Sequence, residues 1–223
     1  MSFAKHLLAA AVATAFTAPA MAQNMEFLGY ANGSETVSYK LDYADNSLDR
    51  SGAANAGGFL SRYNGGPTFV SYCIDLYQFI SLPASYGDYS QVSSNAYAGF
   101  TFNTNAAGLL AGFLLENNPV GNSVQSAAFQ VAVWELMYEN TGVYNVGSGS
   151  ASFTSDTGLV LSTAQGWLDV LAASSTPFAV YQSPAYQDVI TAPVPEPETY
   201  ALMAAGLGAL GFIGRRRKAR ATA

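Results

Sequence analysis

Residues 122–142 read NSVQSAAFQVAVWELMYENTG, and this stretch decides the class of the fold. Asn122 stands where a helix N-cap is expected, Gln125 occupies the capping-box position three residues later, and Gly142 provides a stop. Apolar residues recur between these signals at helical spacing. The stretch therefore predicts one well-bounded helix, in which Gln130 is the only polar residue of the segment AAFQVAVW.

The segments on either side of this helix complete the prediction. Upstream, MEFLGY, ETVSYKLDY and TFVSYCIDLYQFI alternate and are rich in aromatic and β-branched residues, which predicts strands, with GGFLSRYNGGP as a Gly-rich connector. Further helices are predicted over NAAGLLAGFLLENN and from Ser162 to about Ala173, and short strands over residues 178–182 and 188–191. The predicted fold is α+β: an antiparallel β-sheet or sandwich with two to three packed helices.

The central segment, residues 23–192, has the size of one domain and is strongly acidic. It carries three basic residues against 13 acidic ones, which are the 15 of the whole chain less two in the tail, so its net charge is −10. Such a surface repels phosphate backbones and argues against nucleic-acid binding. The only histidine, His6, precedes this segment, which excludes Ser-His-Asp and Cys-His catalysis and the usual zinc sites. We expect a protein that is not an enzyme and needs no cofactor or metal.

The first 22 residues, MSFAKHLLAAAVATAFTAPAMA, predict a secretory signal peptide. Lys5 precedes an apolar run from Leu7 to Phe16, and Ala20-Met21-Ala22 forms a small-x-small cleavage site. We expect signal peptidase to release a mature, exported chain that begins near Gln23.

The tail, residues 193–223, combines three elements in a fixed order. A short motif is followed by the uncharged stretch from Thr199 to Gly214 and then by a basic cluster. As a helix, the uncharged stretch reaches about 24 Å, slightly less than the ~30 Å hydrocarbon core of a bilayer. We therefore predict a short transmembrane helix with a cytoplasmic basic end. The motif consists of Val194, Pro195, Glu196 and Pro197, and the basic cluster of Arg215, Arg216, Arg217, Lys218 and Arg220.

This tail resembles the PEP-CTERM sorting signal of Gram-negative bacteria. The resemblance implies that an exosortase in the inner membrane cleaves at or near residues 195–197, after transient anchoring, and passes the protein on to the cell surface or the extracellular matrix. A permanent single-span anchor needs only the same hydrophobicity and is the alternative. Either way, the domain acts outside the cytoplasm.

Cys73, the only cysteine, lies in the predicted strand VSYCIDLYQF and shares a strand face with Ser71 and Asp75, opposite the apolar face. Because sheets in α+β domains can be covered on both faces, an inert buried thiol and a reactive one both remain open. The predicted helix adds a second polar group, since burying the Gln130 amide without partners costs about 1–3 kcal/mol. Either hydrogen bonds to backbone or condensation with a cysteine would satisfy it.

The pair YCID and FQVAVW resembles the thioester domain of bacterial surface adhesins, whose motif is written TQxA. The resemblance implies that Cys73 is the thiol and Gln130 the acyl donor of an internal thioester. Ala132 and Trp134 match the small and aromatic positions that follow, whereas Phe129 replaces the threonine of the motif.

The same resemblance implies a single-use covalent adhesin. An amine or hydroxyl on a surface polysaccharide or another matrix polymer would attack the acyl group, and Asp75 and Glu135 are candidate acids or bases beside it. The runner-up is a non-catalytic exopolysaccharide-binding or structural biofilm protein with an inert Cys73, in which the tyrosines of ASYGDYSQVSSNAYAGF offer sugar platforms. A glycoside hydrolase has little support, because no two carboxylates are singled out. The acidic cluster DYADNSLDR lacks EF-hand spacing and favours a solvated turn over calcium.

Overall fold

A computed structural model describes residues 23–117, 121–192 and 205–207. The predicted signal peptide, the motif Val194–Pro197 and the basic cluster from Arg215 to Arg220 lie outside these residues. Of the predicted transmembrane stretch, residues 205–207 alone are described, in helical conformation. None of the helices formed by described residues has both the length and the apolar character needed to cross a bilayer.

Ten strands and three α-helices run through the described residues between 23 and 192. The helices are α1 (Ala106–Glu116), α2 (Ser123–Tyr138) and α3 (Gly158–Leu168), and a short 3-10 turn covers Ser94–Ala96. The strands are β1 (Met25–Tyr30), β2 (Glu35–Leu41), β3 (Arg50–Ala56), β4 (Phe59–Tyr63), β5 (Thr68–Cys73), β6 (Ala84–Tyr86), β7 (Ser90–Ser93), β8 (Ala151–Thr154), β9 (Ala179–Gln182) and β10 (Val189–Thr191).

The strands form two antiparallel sheets. The larger sheet has the order β6-β1-β4-β5-β10-β9-β7, and the smaller sheet has the order β3-β2-β8. This arrangement agrees with the α+β class predicted from the sequence. In the larger sheet β5 is central, with Ser71 opposite Phe59 of β4 and Cys73 opposite Val189 of β10.

Helix α2 is the centre of the core. Every residue from Ser126 to Tyr138 is buried, and the helix contacts β5 of the larger sheet, all three strands of the smaller sheet, and helices α1 and α3. A helix that is apolar on all sides is stable only when it is enclosed in this way. Its predicted start is confirmed, because the Asn122 side chain accepts a hydrogen bond from the Gln125 N–H at 2.9 Å.

Several predicted boundaries were wrong. The predicted strand 68–80 stops at Cys73, because the Asp75 carboxylate accepts the N–H groups of the next residues and turns the chain. The Gly-rich connector contains β4. The third helix, predicted from Ser162 to about Ala173, begins at Gly158 and ends at Leu168, and the Ser162 hydroxyl bonds back to carbonyls one turn earlier within it.

The prediction also missed β3, β6, β7 and β8. Strand β3, RSGAANA, consists largely of small residues with low strand propensity, and it is held extended by pairing with β2 along its whole length. Strand propensity largely reflects packing against neighbours, so tertiary context overrides the sequence pattern here.

Candidate functional site

The candidate site lies where β4 separates from β5. Their pairing ends at Phe59 and Ser71, and Gly57 and Gly58 then carry the chain across from the smaller sheet. A Cβ on Gly57 would lie 2.6 Å from the backbone oxygen of Gly33, so only glycine permits this close passage. The backbone of Cys73, two residues beyond Ser71 on the same edge, has therefore lost its neighbouring strand.

The opposite edge of β5 remains paired with β10 in this region. The Ile74 N–H donates to the Asp188 carbonyl at 2.9 Å. Because backbone groups alternate in direction along a strand, the N–H and C=O of Cys73 point toward the side that β4 has left. Cys73 is only 1% exposed, so these two groups need partners inside the protein.

Gln130 of α2 supplies both partners. The Cys73 N–H donates to Gln130 Oε1 at 2.9 Å, and Gln130 Nε2 donates to the Cys73 carbonyl at 2.7 Å. One side-chain amide thus replaces a residue of the missing strand. The structure brings together the two residues that the sequence pairs at a separation of 57 positions, and it satisfies the buried amide through backbone hydrogen bonds.

Gln130 belongs to a row of side chains at four-residue spacing along α2, a spacing that places them on one helix face. The Ser126 hydroxyl accepts from the Gly58 N–H at 2.9 Å. The Tyr138 hydroxyl accepts from the Leu76 N–H at 2.8 Å and donates to the Ile74 carbonyl at 3.0 Å. Side chains of this row therefore form hydrogen bonds with backbone groups on both sides of the gap between β4 and β5.

The Cys73 sulfur is held by the turn that follows β5. It donates to the Asp75 carbonyl oxygen at 3.1 Å and accepts from the Asp75 N–H at 3.3 Å. Burial raises the pKa of this thiol well above its ordinary value, and the nearby indole of Trp134 works in the opposite direction. The indole N–H of Trp134 is buried and makes no hydrogen bond of normal geometry to any described residue. It is thus a donor that remains available beside the sulfur.

Cys73, Gln130 and Trp134 line a cavity of about 430 Å³. Its walls also include tyrosine, phenylalanine, aliphatic and carboxamide side chains, and none of its lining residues is acidic or basic. The volume lies within the range of small-molecule sites, which spans about 300–1,000 Å³. The remaining lining residues are Tyr30, Ala53, Ala54, Asn55, Phe59, Phe79, Ile80, Leu82 and Gln187.

The other predicted site residues lie nearby but outside the cavity wall. Asp75 holds the sulfur through its backbone, whereas its carboxylate accepts from the N–H groups of Tyr77 and Gln78. Ala132 is fully buried within α2. Glu135 turns toward the segment after the helix, where Oε1 accepts from the Asn145 N–H at 2.7 Å.

Burial raises the pKa of Glu135 to about 8, although the Asn145 hydrogen bond opposes the rise. Its second oxygen, Oε2, has no hydrogen-bond partner among the described residues. Glu139, one helical turn further on, adds to the rise in the Glu135 pKa. Burial therefore favours the protonated form of the Glu135 carboxyl.

Sequence reasoning did not find Ser126 and Tyr138, which extend the row on α2. It also did not find Phe79, Asn55 and Gln187 of the cavity wall. A usable signal existed for the row, since residues 126, 130, 134 and 138 share one helix face. The wall residues come from segments far apart in the chain, and no local pattern joins them.

Comparison with known proteins identifies the tail. The PEP-CTERM protein-sorting motif matches residues 193–218, which include Val194–Pro197 and the basic residues from Arg215 to Lys218. This match supports exosortase-dependent sorting to the cell surface and implies export with membrane-associated processing. No curated protein and no solved structure matches the chain.

Proposed function

We propose that exosortase delivers this protein to the cell surface, and that its central domain then attaches to a matrix polymer through an internal Cys73–Gln130 thioester. One observation carries the proposal: both polar atoms of the buried Gln130 amide are bonded to the backbone of Cys73 itself. No other pair of residues in the domain combines a thiol with an amide held against it, since Cys73 is the only cysteine of the chain.

The geometry of this pair suits attack by sulfur on the amide carbon. A side chain leaves an extended strand perpendicular to the plane of its backbone hydrogen bonds, and the Gln130 amide is held in that plane by its two bonds to Cys73. We infer that the sulfur lies on one side of the amide plane, the side from which a nucleophile attacks. Intramolecular positioning of this kind can replace much of the entropic cost of the reaction.

Two N–H groups can stabilise the charge that develops. The Cys73 N–H already bonds to Gln130 Oε1, the oxygen that becomes negative in the tetrahedral intermediate. The unpaired indole N–H of Trp134 can stabilise developing charge on the sulfur. This arrangement compensates for the absence of a threonine at Phe129.

The reaction is balanced without an external reagent. The bond between Cys73 Sγ and Gln130 Cδ forms, the Cδ–Nε2 bond breaks, and the thiol proton leaves with the amide nitrogen as ammonia. A target amine or hydroxyl then attacks Cδ, forms an amide or ester with the Gln130 side chain, and returns a proton to the sulfur.

The site also favours persistence of the thioester. Burial raises the pKa of the thiol, which makes the thiolate a poor leaving group and slows premature hydrolysis. Cys73 and Gln130 are each only 1% exposed, and this burial limits the access of water to the acyl carbon. The thioester would open when a bound target supplies both the nucleophile and a proton.

Intact mass of the exported, purified protein tests the proposal. The expected mass is one ammonia lower than the sequence mass of the mature chain, with no titratable thiol after denaturation. Methylamine should then add its own mass and release one thiol. A full sequence mass together with a titratable thiol before any treatment would refute the thioester.

Matched variants locate the bond. Cys73→Ser and Gln130→Ala should abolish both the mass deficit and the methylamine adduct. Gln125→Met changes another glutamine of α2, one that is only partly buried and lies outside the cavity wall, and should leave both intact. Loss of the deficit in Gln125→Met would assign the effect to disturbed folding of the helix.

A non-catalytic surface or biofilm protein is the second candidate. The observation that favours it is that the Gln130 amide is fully hydrogen-bonded without any covalent chemistry. In that case Cys73 is an inert core residue, and the mass experiment returns the full sequence mass. Delivery through the tail is independent of this choice and would be lost on deletion of residues 194–197.

A further inference from the structure

The central domain contains three basic residues, and the structure pairs two of them with carboxylates. Lys40 pairs with Asp42, and Arg62 pairs with Glu26 at 3.1 Å. Arg50 has no carboxylate within ion-pair distance in the described part of the chain. The Asp75 carboxylate interacts with Arg50 only at longer range, so the guanidinium has no direct ion-pair partner among the described residues and can take an anion from outside.

Arg50 is held in place by aromatic rings. Its guanidinium lies 5.3 Å from the ring centroid of Tyr77 and 5.2 Å from that of Phe79, and its Nε donates to the Tyr39 hydroxyl at 3.3 Å. A guanidinium has five N–H donors, so this anchoring leaves most of them for a ligand. Fixing the side chain in advance lowers the entropy cost of binding.

Phe79 connects this cation to the cavity beside Cys73. Its ring is part of the cavity wall and is 61% exposed, although it also lies against Arg50. The carboxamides of Asn55 and Gln187 belong to the same wall, and because Gln187 Nε2 donates to the Asp75 and Gln78 carbonyls, its oxygen is the group left for a ligand. The site therefore combines a fixed cation, an open aromatic face and neutral hydrogen-bonding groups.

We propose that this cavity binds an acidic sugar residue of a polysaccharide, with the sugar carboxylate on Arg50 and an apolar C–H face of the ring on Phe79. Sugar hydroxyls then meet the carboxamides of Asn55 and Gln187. An arginine pairs with a carboxylate through two parallel hydrogen bonds, which fixes the orientation of the sugar as well as its charge. The absence of acidic lining residues disfavours an ammonium group such as that of a lysine side chain.

A saccharide fits these groups better than an acidic peptide does. A peptide carboxylate could reach Arg50, but its flexible side chain offers no flat apolar face to Phe79 and no array of hydroxyls to the amides behind it. The strongly negative charge of the domain also repels densely charged chains, so a polymer with widely spaced acidic sugars is favoured.

This inference names a target class for the proposed function, and it rests on that function only for the covalent step. A sugar bound in the cavity places its hydroxyls near the Gln130 acyl carbon, which would yield an ester. Noncovalent binding does not need the thioester. It is therefore measured in the full protein carrying Cys73→Ala, in which the thioester cannot form, so that the two proposals can fail separately.

NMR titration with two disaccharides tests the inference. The probes are cellobiouronic acid, which carries one carboxylate, and neutral cellobiose. We expect the acidic disaccharide to bind at least about tenfold more tightly, since hydrogen bonds between charged groups are stronger than those between neutral groups. Equal affinity for the two disaccharides would overturn the proposal.

Variants assign the contacts. Arg50→Gln should reduce the affinity for the acidic disaccharide to that for cellobiose, with Arg50→Lys intermediate, whereas Arg62→Gln at the distant ion pair should leave it unchanged. Phe79→Ala should weaken the binding of both disaccharides. Leu159→Ala, at a similarly exposed apolar residue, should leave the binding of both unchanged. Unchanged binding in Arg50→Gln and Arg50→Lys, or equally tight binding of N-acetylglutamate amide, would overturn the assignment to an acidic sugar.

Discussion

Replacing Gln130 with methionine tests whether this side chain completes the ladder of β5. Methionine has nearly the same length and can fill the same space, but it cannot bond to the Cys73 N–H or C=O. The comparison is made in a Cys73→Ala background, because a thioester in the wild-type chain would mask the effect. Alanine at residue 73 keeps the two backbone groups in place.

The expected loss follows from the two hydrogen bonds that disappear. The loss of each hydrogen bond leaves one buried backbone group without a partner, which costs about 1–3 kcal/mol of stability. The greater hydrophobicity of methionine offsets part of this cost. We expect the free energy of unfolding to fall by about 2–5 kcal/mol. For a domain of this size, each kcal/mol shifts the melting temperature by about 2–4 °C, so the shift should be readily measurable.

Urea unfolding, followed by circular dichroism and tryptophan fluorescence, gives the free energy directly. Gln125→Met is the matched control, because Gln125 lies on the same helix but is only partly buried, and its side chain makes no hydrogen bond to another described residue. The control should change the stability by less than about 0.5 kcal/mol. If Gln130→Met costs no more than the control, the amide does not complete the ladder, and the reasoning about this site is refuted.

Three further substitutions test neighbouring features. Glu135→Gln should remove a pH dependence. Burial raises the pKa of Glu135 from its ordinary value of 4.5 to about 8 in the folded state. The stability that depends on the protonated carboxyl is therefore fully present below pH 4.5 and is lost as the pH rises through about 8. Urea unfolding should show the wild type losing a few kcal/mol more than the variant between pH 5 and pH 8.5, and parallel curves would contradict this. Trp134→Phe removes an N–H but keeps an aromatic ring, and should slow the appearance of the ammonia-deficient mass by about tenfold or more; an unchanged rate excludes the indole from the reaction. Tyr138→Phe should cost about 1–3 kcal/mol, because it strips two buried backbone groups of their shared hydroxyl, whereas Tyr186→Phe, whose hydroxyl makes no hydrogen bond within the described residues, should cost little.

The central helix could be predicted from sequence because its signals are local. The Asn122 cap, the apolar run and the position of Gln130 all lie within one continuous segment. The need of Gln130 for a buried partner could also be predicted, since an isolated amide in an apolar helix requires one, and the resemblance to thioester domains pointed to Cys73. The sequence pattern did not decide between a backbone partner and a thiol. In the structure, the Gln130 amide is bonded to the backbone N–H and C=O of Cys73.

The surroundings of the pair could not be predicted in the same way. Strand β3 carries wall residues of the cavity, yet its sequence RSGAANA has no alternating apolar pattern and is extended only because β2 pairs with it. The end of β5 at Cys73 depends on the turn made by Asp75. The apolar residues on both sides of Asp75 continue the strand pattern, so the sequence gives no sign of this turn. Both features arise from contacts between distant segments, and they decide what surrounds the thiol.

The hydrogen bonds of Gln130 also bear on how the proposed thioester would change the domain. On condensation, the acyl oxygen can keep its hydrogen bond to the Cys73 N–H. The amide nitrogen leaves, however, and with it the only hydrogen-bond donor to the Cys73 carbonyl in the described structure. That carbonyl is buried, so its loss of a partner costs about 1–3 kcal/mol. The covalent link between β5 and α2 offsets this cost, because it restricts the unfolded chain by closing a loop of 57 positions. A protein that forms the bond should therefore unfold at a higher temperature than its Cys73→Ala variant, and methylamine should reverse the difference, since it cuts the link and restores an N–H donor at the same carbon.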